Sequence, residues 1–270
     1  MTQIQRKVTL ISHTQLAEDF RETIEGIIDS HTHEEPTITD GQALALTAIR
    51  TCYSPGKPSE IVANEGKRYF KTKASDGKGG TDADRLIRMI VSSGHTSTLE
   101  HLSYNFAVEG ISRALLAQIT RHRVGWSFSI QSQRYVRFGS GDKSGGFDYV
   151  VPDSVKKSSA DAFIKEDVYG EVVESRSSVD DYFADCMRQI QEMYDNLRSY
   201  GIPAEDARAV LPQATSCNGV ISANLRAILD FYGKRKAGNG AQAEIAGLSE
   251  DIRKAVVAVE PWTDSLFDKE

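Results

Sequence analysis

The sequence predicts an α+β fold in a single mixed domain, and three observations carry that prediction. A short β-branched run, Lys7 to Ser12 (KVTLIS), is followed by Gln15 to Ile28, where Leu16, Phe20, Ile24 and Ile27 recur at helical spacing. Later, Leu102 to Ile111 (LSYNFAVEGI) alternates as a strand does, and then gives way at Ser112, an N-cap residue type, to a helix over Arg113 to Thr120. Finally, no linker divides the 270 residues into two independent cores, so one domain over 1–270 is expected.

The remaining elements follow in order. A polar linker covers Asp29 to Asp40, and Gly41 to Cys52 reads as a helix. Ser54 to Gly80, rich in Gly, Pro and Lys, reads as a surface loop containing one short helix. Asp82 to Ser93 carries a broad apolar face of Leu86, Ile87, Met89, Ile90 and Val91, which predicts a helix. Ile130 to Phe138 is expected to be a strand and Gly139 to Gly146 a flexible loop. Ser159 to Tyr200 is long, polar and helical in composition, interrupted near Gly170 and Ser177–Ser178. Pro203 to Leu211, Ser222 to Tyr232 and Ala241 to Val259 complete the chain as helices, the first with Pro at a permitted start.

Composition excludes several classes. Hydrophobic residues make up 40% and charged residues 26%, as in ordinary globular chains. With 32 basic against 38 acidic residues the net charge is −6, which argues against coating nucleic acid or an anionic membrane through overall charge. Cys52, Cys186 and Cys217 are odd in number and widely spaced, which suits a reducing compartment and structural roles better than a disulfide framework. No run approaches the roughly 18 apolar residues of a membrane helix. The opening MTQIQRKVTLISHT lacks the apolar core of a signal peptide, so a soluble cytoplasmic protein is expected.

Any anion site must therefore be local, and one window stands out. Residues 113–137 hold five arginines and one histidine without a single acidic residue, inside an acidic chain. Gln118 and Arg121, three residues apart, share the polar flank of the helix whose buried stripe is Leu115, Leu116 and Ile119. If Ile130 to Phe138 is extended, Ser132 and Arg134 point to one face as a hydroxyl and a guanidinium fork, a natural phosphate pair. Two other readings stay open. The arginines could lie on a solvated face or pair with acidic helices, or they could form a single-strand nucleic-acid patch, interleaved with Trp126, Phe128 and Tyr135 as stacking partners.

Arg121-His122-Arg123, followed by Ser132-Gln133-Arg134-Tyr135, resembles the signature of the flavin-dependent thymidylate synthases. The eight residues from Val124 to Gln131 make the spacer one residue longer than the family's, so either Ile130 or Gln131 takes the family's Glu or Gln position. Upstream, Gly94-His95-Thr96-Ser97-Thr98-Leu99-Glu100-His101 is similar to the family's GH-x-[ST]-x-x-EH segment. Downstream, Ala207-Arg208-Ala209-Val210-Leu211-Pro212 resembles its AR-x-VLP element, and Asn224-Leu225-Arg226 its N-x-R triplet. Arg235 falls nine residues after Arg226, where the family places its substrate-activating arginine. Asn224 and Arg235 are eleven positions apart, a rise of about 16 Å if one helix continues between them. Gly233 is an alternative helix end. The chain departs from the family at Asp230 and over Lys236 to Gly240.

The resemblance implies a specific chemistry: methylation of dUMP at carbon-5, with 5,10-methylenetetrahydrofolate as carbon donor and FAD, recharged by NADPH, as hydride donor. No cysteine nucleophile is required. It implies nucleotide contacts from Gln118, Arg121, Ser132, Gln133, Arg134, Arg208 and Arg235, the last also catalytic. It implies flavin contacts from Ser97, Arg121, His122, Arg123, Asn224 and Arg226, with His95 and Glu100 as further pocket residues. It further implies a central antiparallel-rich sheet flanked by helices, and active sites at the subunit interfaces of a homotetramer. The absence of a G-x-G-x-x-G or Walker loop is compatible with this, and Gly77-Lys78-Gly79-Gly80 reads as a turn. The rival enzyme reading is a metal hydrolase using His95, His101 and His122 with the His31-Thr32-His33-Glu34-Glu35 cluster. Its spacings match neither H-E-x-x-H nor H-x-x-E-H.

Overall fold

Alternation in the segment 103–112 sets the centre of the fold. Tyr104, Phe106 and Val108 are buried on one face, while Ser103 and Glu109 face outward. The computed structural model describes residues 1–28, 38–168 and 171–267, with the backbone alone at 28, 162–168 and 171–175. Its strands are β1 (Lys7–His13), β2 (Ser103–Ser112), β3 (Trp126–Ile130), β4 (Asp161–Val168), β5 (Glu171–Ser178) and β6 (Ser216–Asn224). A four-stranded sheet runs in the order β1-β2-β6-β3, antiparallel throughout, and β4 and β5 pair separately. The register shifts between Val108 and Ile111, at Gly110. Gly110 has φ +68°, and a Cβ there would lie 2.4 Å from the Gln5 carbonyl oxygen, so only glycine fits this bulge.

The helices are α1 (Glu18–Ile28), α2 (Asp40–Thr51), α3 (Ile61–Phe70), α4 (Asp82–Ser92), α5 (Arg113–Ile119), α6 (Asp153–Lys156), α7 (Val179–Ser199), α8 (Ala204–Ala207), α9 (Leu225–Arg235), α10 (Ala243–Val259) and α11 (Asp264–Phe267). The larger core joins the buried sheet face to α2, α4, α5, α9 and α10 through Leu46, Ile49, Ile87, Leu115, Phe231 and Ile252. A smaller core of Phe138, Phe147, Tyr149, Met187 and Tyr194 sits against α7. The buried Gln191 amide laces it: Phe147 N–H donates to its oxygen (2.9 Å), and its nitrogen donates to the Phe138 carbonyl (2.8 Å).

Local chemistry explains where the helices begin. Thr81 and Asp84 form a reciprocal capping box on α4, and Ser112 Oγ accepts from Leu115 N–H on α5 as its residue type predicts. Asn224 accepts from Ala227 N–H at the start of α9. The mixed class, the antiparallel sheet and most of the helices accord with the sequence reading, but three expectations fail. The strand expected at Ile130–Phe138 lies earlier, over Trp126–Ile130, where Trp-Ser-Phe-Ser-Ile alternates inward and outward. The following residues turn instead, with Val136 N–H bonded to the Ser132 carbonyl (2.9 Å). The helix expected over Ser159–Tyr200 begins only at Val179, capped by Ser178, and the β4–β5 ladder precedes it. The helix expected from Ser222 begins at Leu225, because residues 216–224 complete the sheet against β2 and β3. Gly170, His31 and His33 and most of the Asp29–Asp40 linker lie outside the described residues.

Candidate active site

Two contacts with α9 organise the site. Gly125, at φ +75°, brings the start of β3 so close that a Cβ there would sit 2.7 Å from Asn224 Nδ2, and Asn224 N–H donates to the Gly125 carbonyl (3.1 Å). The chain between α5 and β3, which carries Arg121, His122 and Arg123, is thereby held against α9. Arg235, the last residue of α9, donates from Nε to His122 Nε2 at 3.2 Å. The imidazole stands edge-on to Phe231 (5.0 Å between centroids, 89°) and lies 6.5 Å from the Trp126 ring. Burial, reinforced by the charge of Arg235, holds the His122 pKa below its ordinary value. His122 is thus a neutral acceptor against an aromatic wall.

Arg226, exposed in the first turn of α9, pairs with Glu100 and so ties residues 94–100 to the same helix. Ser97 is exposed in the short 3-10 turn Thr96–Leu99 of that loop. Nδ1 of half-buried His95 lies 3.0 Å from the Tyr53 hydroxyl. Arg121 and Arg123 are exposed, and among the described residues neither forms an ion pair, nor does Arg208 or Arg235.

A second group lies beyond α5. A cavity of about 400 Å³ is bordered by Arg113, Thr120, Gln133, Arg208 and Leu211. The Gln133 side chain is buried, and its Nε2 has no partner among the described residues. An unsatisfied buried donor beside two guanidiniums calls for an oxygen-rich anion. Glu205 positions the cations here: its carboxylate accepts from Arg134 Nε (2.9 Å), and its backbone carbonyl from Arg208 Nε (2.8 Å). Gln213 borders both this cavity and a larger one of about 760 Å³ that also takes in Gln242 and Lys156.

The predicted residues therefore fall into two groups. His122, Arg235, Asn224 and Arg226 gather on α9, while Gln133, Arg134 and Arg208 gather around Glu205 and the smaller cavity. Ser132 and Arg134 share no strand face, since they lie in the turn where Arg134 N–H donates to Ser132 Oγ (3.2 Å). No side-chain bond joins Gln118 to Arg121; the Gln118 amide turns instead to Gln242 Oε1 at 2.5 Å. Asn224 spends its oxygen on the helix cap, leaving Nδ2 as its remaining donor group. Sequence reasoning missed Arg113, Glu205, Gln242 and Tyr53. Arg113 lay in the acid-free window, and the other three are placed by tertiary contacts that no local pattern encodes.

The thiols take no part in this geometry. Cys217 is buried and its pKa is pushed up to about 11 by that burial, while Sγ donates to the Ile111 carbonyl. Cys186 packs against the smaller core, whereas Cys52 is exposed at the end of α2 and packs in neither core. No group of three or more His, Cys, Asp or Glu residues able to hold a metal ion occurs among the described residues. No helix there is long and apolar enough to cross a membrane.

Fold and site define a mixed α/β protein with two clusters of polar and cationic groups, one against an aromatic wall on α9 and one around the smaller cavity. A family model described as thymidylate synthase complementing protein matches residues 35–262. A flavin-dependent thymidylate synthase from Geobacter sulfurreducens is 35% identical over 222 residues, covering 82% of this chain and 80% of its own. Another, from Halobacterium salinarum, is 36% identical over 243 residues, covering 82% of this chain and 95% of its own. The fold is also similar to that of a Streptomyces cacaoi UMP/dUMP methylase bound with 5-Br dUMP (TM-score 0.64, 22% identity, 98% of this chain and 96% of that one). Thymidylate Synthase X from Helicobacter pylori, with FAD and dUMP, gives a TM-score of 0.54 at 20% identity, over 98% of both chains. The chain belongs to the flavin-dependent thymidylate synthase family.

The donor set fits a flavin dinucleotide. Arg121 and Arg123 offer unpaired guanidiniums suited to a pyrophosphate. The neutral His122, backed by Phe231 and Trp126, offers an apolar wall with one polar edge suited to a fused ring.

Proposed function

We propose that this chain binds FAD and dUMP and produces dTMP, and the observation that carries the reading is the contact between Arg235 and His122. It joins the residue read as activating the substrate to one read as facing the flavin. In balanced form, dUMP, methylenetetrahydrofolate, NADPH and a proton give dTMP, tetrahydrofolate and NADP⁺. The flavin, when bound, supplies hydride-transfer chemistry, and the protein supplies orientation and charge.

Arg121, His122, Arg123, Ser97, Asn224 and Arg226 hold the flavin in this reading. Gln118, Arg121, Ser132, Gln133, Arg134 and Arg208 hold the nucleotide, with Arg113 as an added cation at the cavity wall. Arg235 is the catalytic residue. Its permanent charge stabilises the uracil ring when the imide nitrogen loses its proton, and carbon-5 becomes the better nucleophile. His122, neutral and accepting from Nε, fixes the plane of that guanidinium. The split of the residues into two groups within one chain supports active sites completed by a neighbouring copy, and we read the protein as a single-domain, cytoplasmic homotetramer.

The experiment is spectroscopic and chemical. The purified protein, as isolated or after addition of FAD, should show the absorbance of oxidised flavin. With dUMP, NADPH and methylenetetrahydrofolate it should then form dTMP. A protein that neither carries nor takes up flavin would sink this reading.

A further inference from the structure

Residues 94–100 are clasped from two sides. Glu100 pairs with Arg226 on α9, while the ring of Tyr53, just past the end of α2, meets His95 edge-on at 6.1 Å and 76°. Tyr53 has a firm base: its N–H donates to the Arg50 carbonyl (2.9 Å), and the next residue, Ser54, bonds the same carbonyl (2.7 Å) and the Glu65 carboxylate (2.5 Å). The imidazole is held at its own end too. Gly94 at φ +82° turns the chain out of α4, His95 N–H returns to the Ile90 carbonyl (3.2 Å), and Thr98 Oγ1 donates to the His95 carbonyl (3.3 Å). With both backbones fixed, the 3.0 Å approach of the Tyr53 hydroxyl to His95 Nδ1 constrains the ring.

We propose that Tyr53 is a positioning residue that sets the tautomer of His95, so that the imidazole presents Nε2–H as a donor toward the flavin side of the site. A phenolic O–H is a better donor than acceptor, because its oxygen lone pair is drawn into the ring. An sp² imidazole nitrogen, in turn, is a strong acceptor. The bond therefore runs from Tyr53 to Nδ1, and the single proton of the neutral imidazole resides on Nε2. A donor fixed in this way suits a carbonyl or ring nitrogen of a bound heterocycle. The opposite tautomer would present a lone pair and repel the same group. The assignment of direction rests on the flavin reading given above; the tautomer itself does not.

The test separates the two. In flavin-loaded protein with ¹⁵N-labelled histidine, long-range ¹H–¹⁵N spectra should show His95 protonated on Nε2 and bare on Nδ1, and the flavin-free protein should show the same. In Tyr53→Phe, which removes one oxygen from a half-exposed ring and leaves the fold intact, the two tautomers should mix. Turnover and flavin affinity should both fall by about fivefold, the scale of one hydrogen bond. His95→Gln retains a donor near the Nε2 position and has no Nδ1 to accept from Tyr53. In that background Tyr53→Phe should therefore cost no more than about 1.5-fold, a coupling that a merely structural tyrosine would not produce. An unchanged His95 tautomer in Tyr53→Phe, or equal losses in the two backgrounds, would overturn the proposal. Failure to bind flavin would instead strike the function proposed above, and leave the tautomer result standing.

Discussion

Arg235 reaches His122 through Nε, and among the described residues its terminal nitrogens bond to nothing else. A guanidinium held by one edge keeps its fork free for a planar anion, which a lysine could not match. Arg235→Ala should therefore lower turnover by about 100-fold or more, the scale of losing one preorganised charge contact, while flavin affinity changes only a few-fold. Retained methylation would remove the activating role. The same variant has a readout that needs no turnover. Burial first, and Arg235 second, hold the His122 pKa below its ordinary value, which favours the neutral imidazole. Without the Arg235 charge, an NMR titration should show His122 gaining its proton at higher pH than in the parent. In the parent, acid protonation turns the acceptor into a cation facing a cation, so turnover should fall on the acid side, below the ordinary histidine range near pH 6.5.

At the level of elements, the sequence made one central strand and the cap at Ser112 legible, and it hid what depends on partners far along the chain. Ser112 as N-cap and the alternation of β2 are local facts and were readable as such. Residues 216–224 (SCNGVISAN) look weak as a strand because Gly219 and the small polar residues carry little β preference. Only pairing with both β2 and β3 makes them the second central strand. The motif residues were legible one by one, yet Glu205 as the common anchor of Arg134 and Arg208 was not, because it depends on α8 docking beside the 132–134 turn.

One element-level contact is testable by pH. Glu260 follows the last turn of α10 and is buried at the start of α2, accepting from Thr39 Oγ1 and from Trp262 Nε1 at 2.5 Å. His13 Nδ1, at the end of β1, lies 4.0 Å away. Burial outweighs these bonds and raises the Glu260 pKa above its ordinary value. The folded state therefore holds this proton more tightly than the unfolded chain does. The associated stability is complete below the unfolded carboxylate pKa, and is lost as pH rises through the higher folded value. Glu260→Gln cannot titrate. In urea unfolding at a series of pH values, the stability of the parent relative to the variant should decline as pH climbs through that window. A flat difference would mean that folding leaves this carboxyl unshifted, and a rising one that the charged form is favoured.

Across the whole molecule, the smaller cavity lies on the seam between the two cores. Leu116 of α5 and Thr120 at its C-terminal cap lie on the larger core's side, and Gln133, Arg208 and Leu211 come from segments resting on the smaller core. The residues proposed to hold flavin, on α9 and just before β3, belong to the larger core alone. Disturbing the smaller core should thus weaken nucleotide binding and spare flavin binding. Gln191 is the place to do it, because its buried amide satisfies both Phe147 N–H and the Phe138 carbonyl across the chain that follows Ser132 to Arg134. Gln191→Leu keeps the volume and strands both backbone groups, at a cost of about 1–3 kcal/mol each. Isothermal titration should then show dUMP affinity falling about tenfold or more, while FAD affinity stays within about twofold, since the cost falls on one side of the seam. Equal losses for both ligands would mean that the two cores respond as one unit, and that the seam does not divide the site.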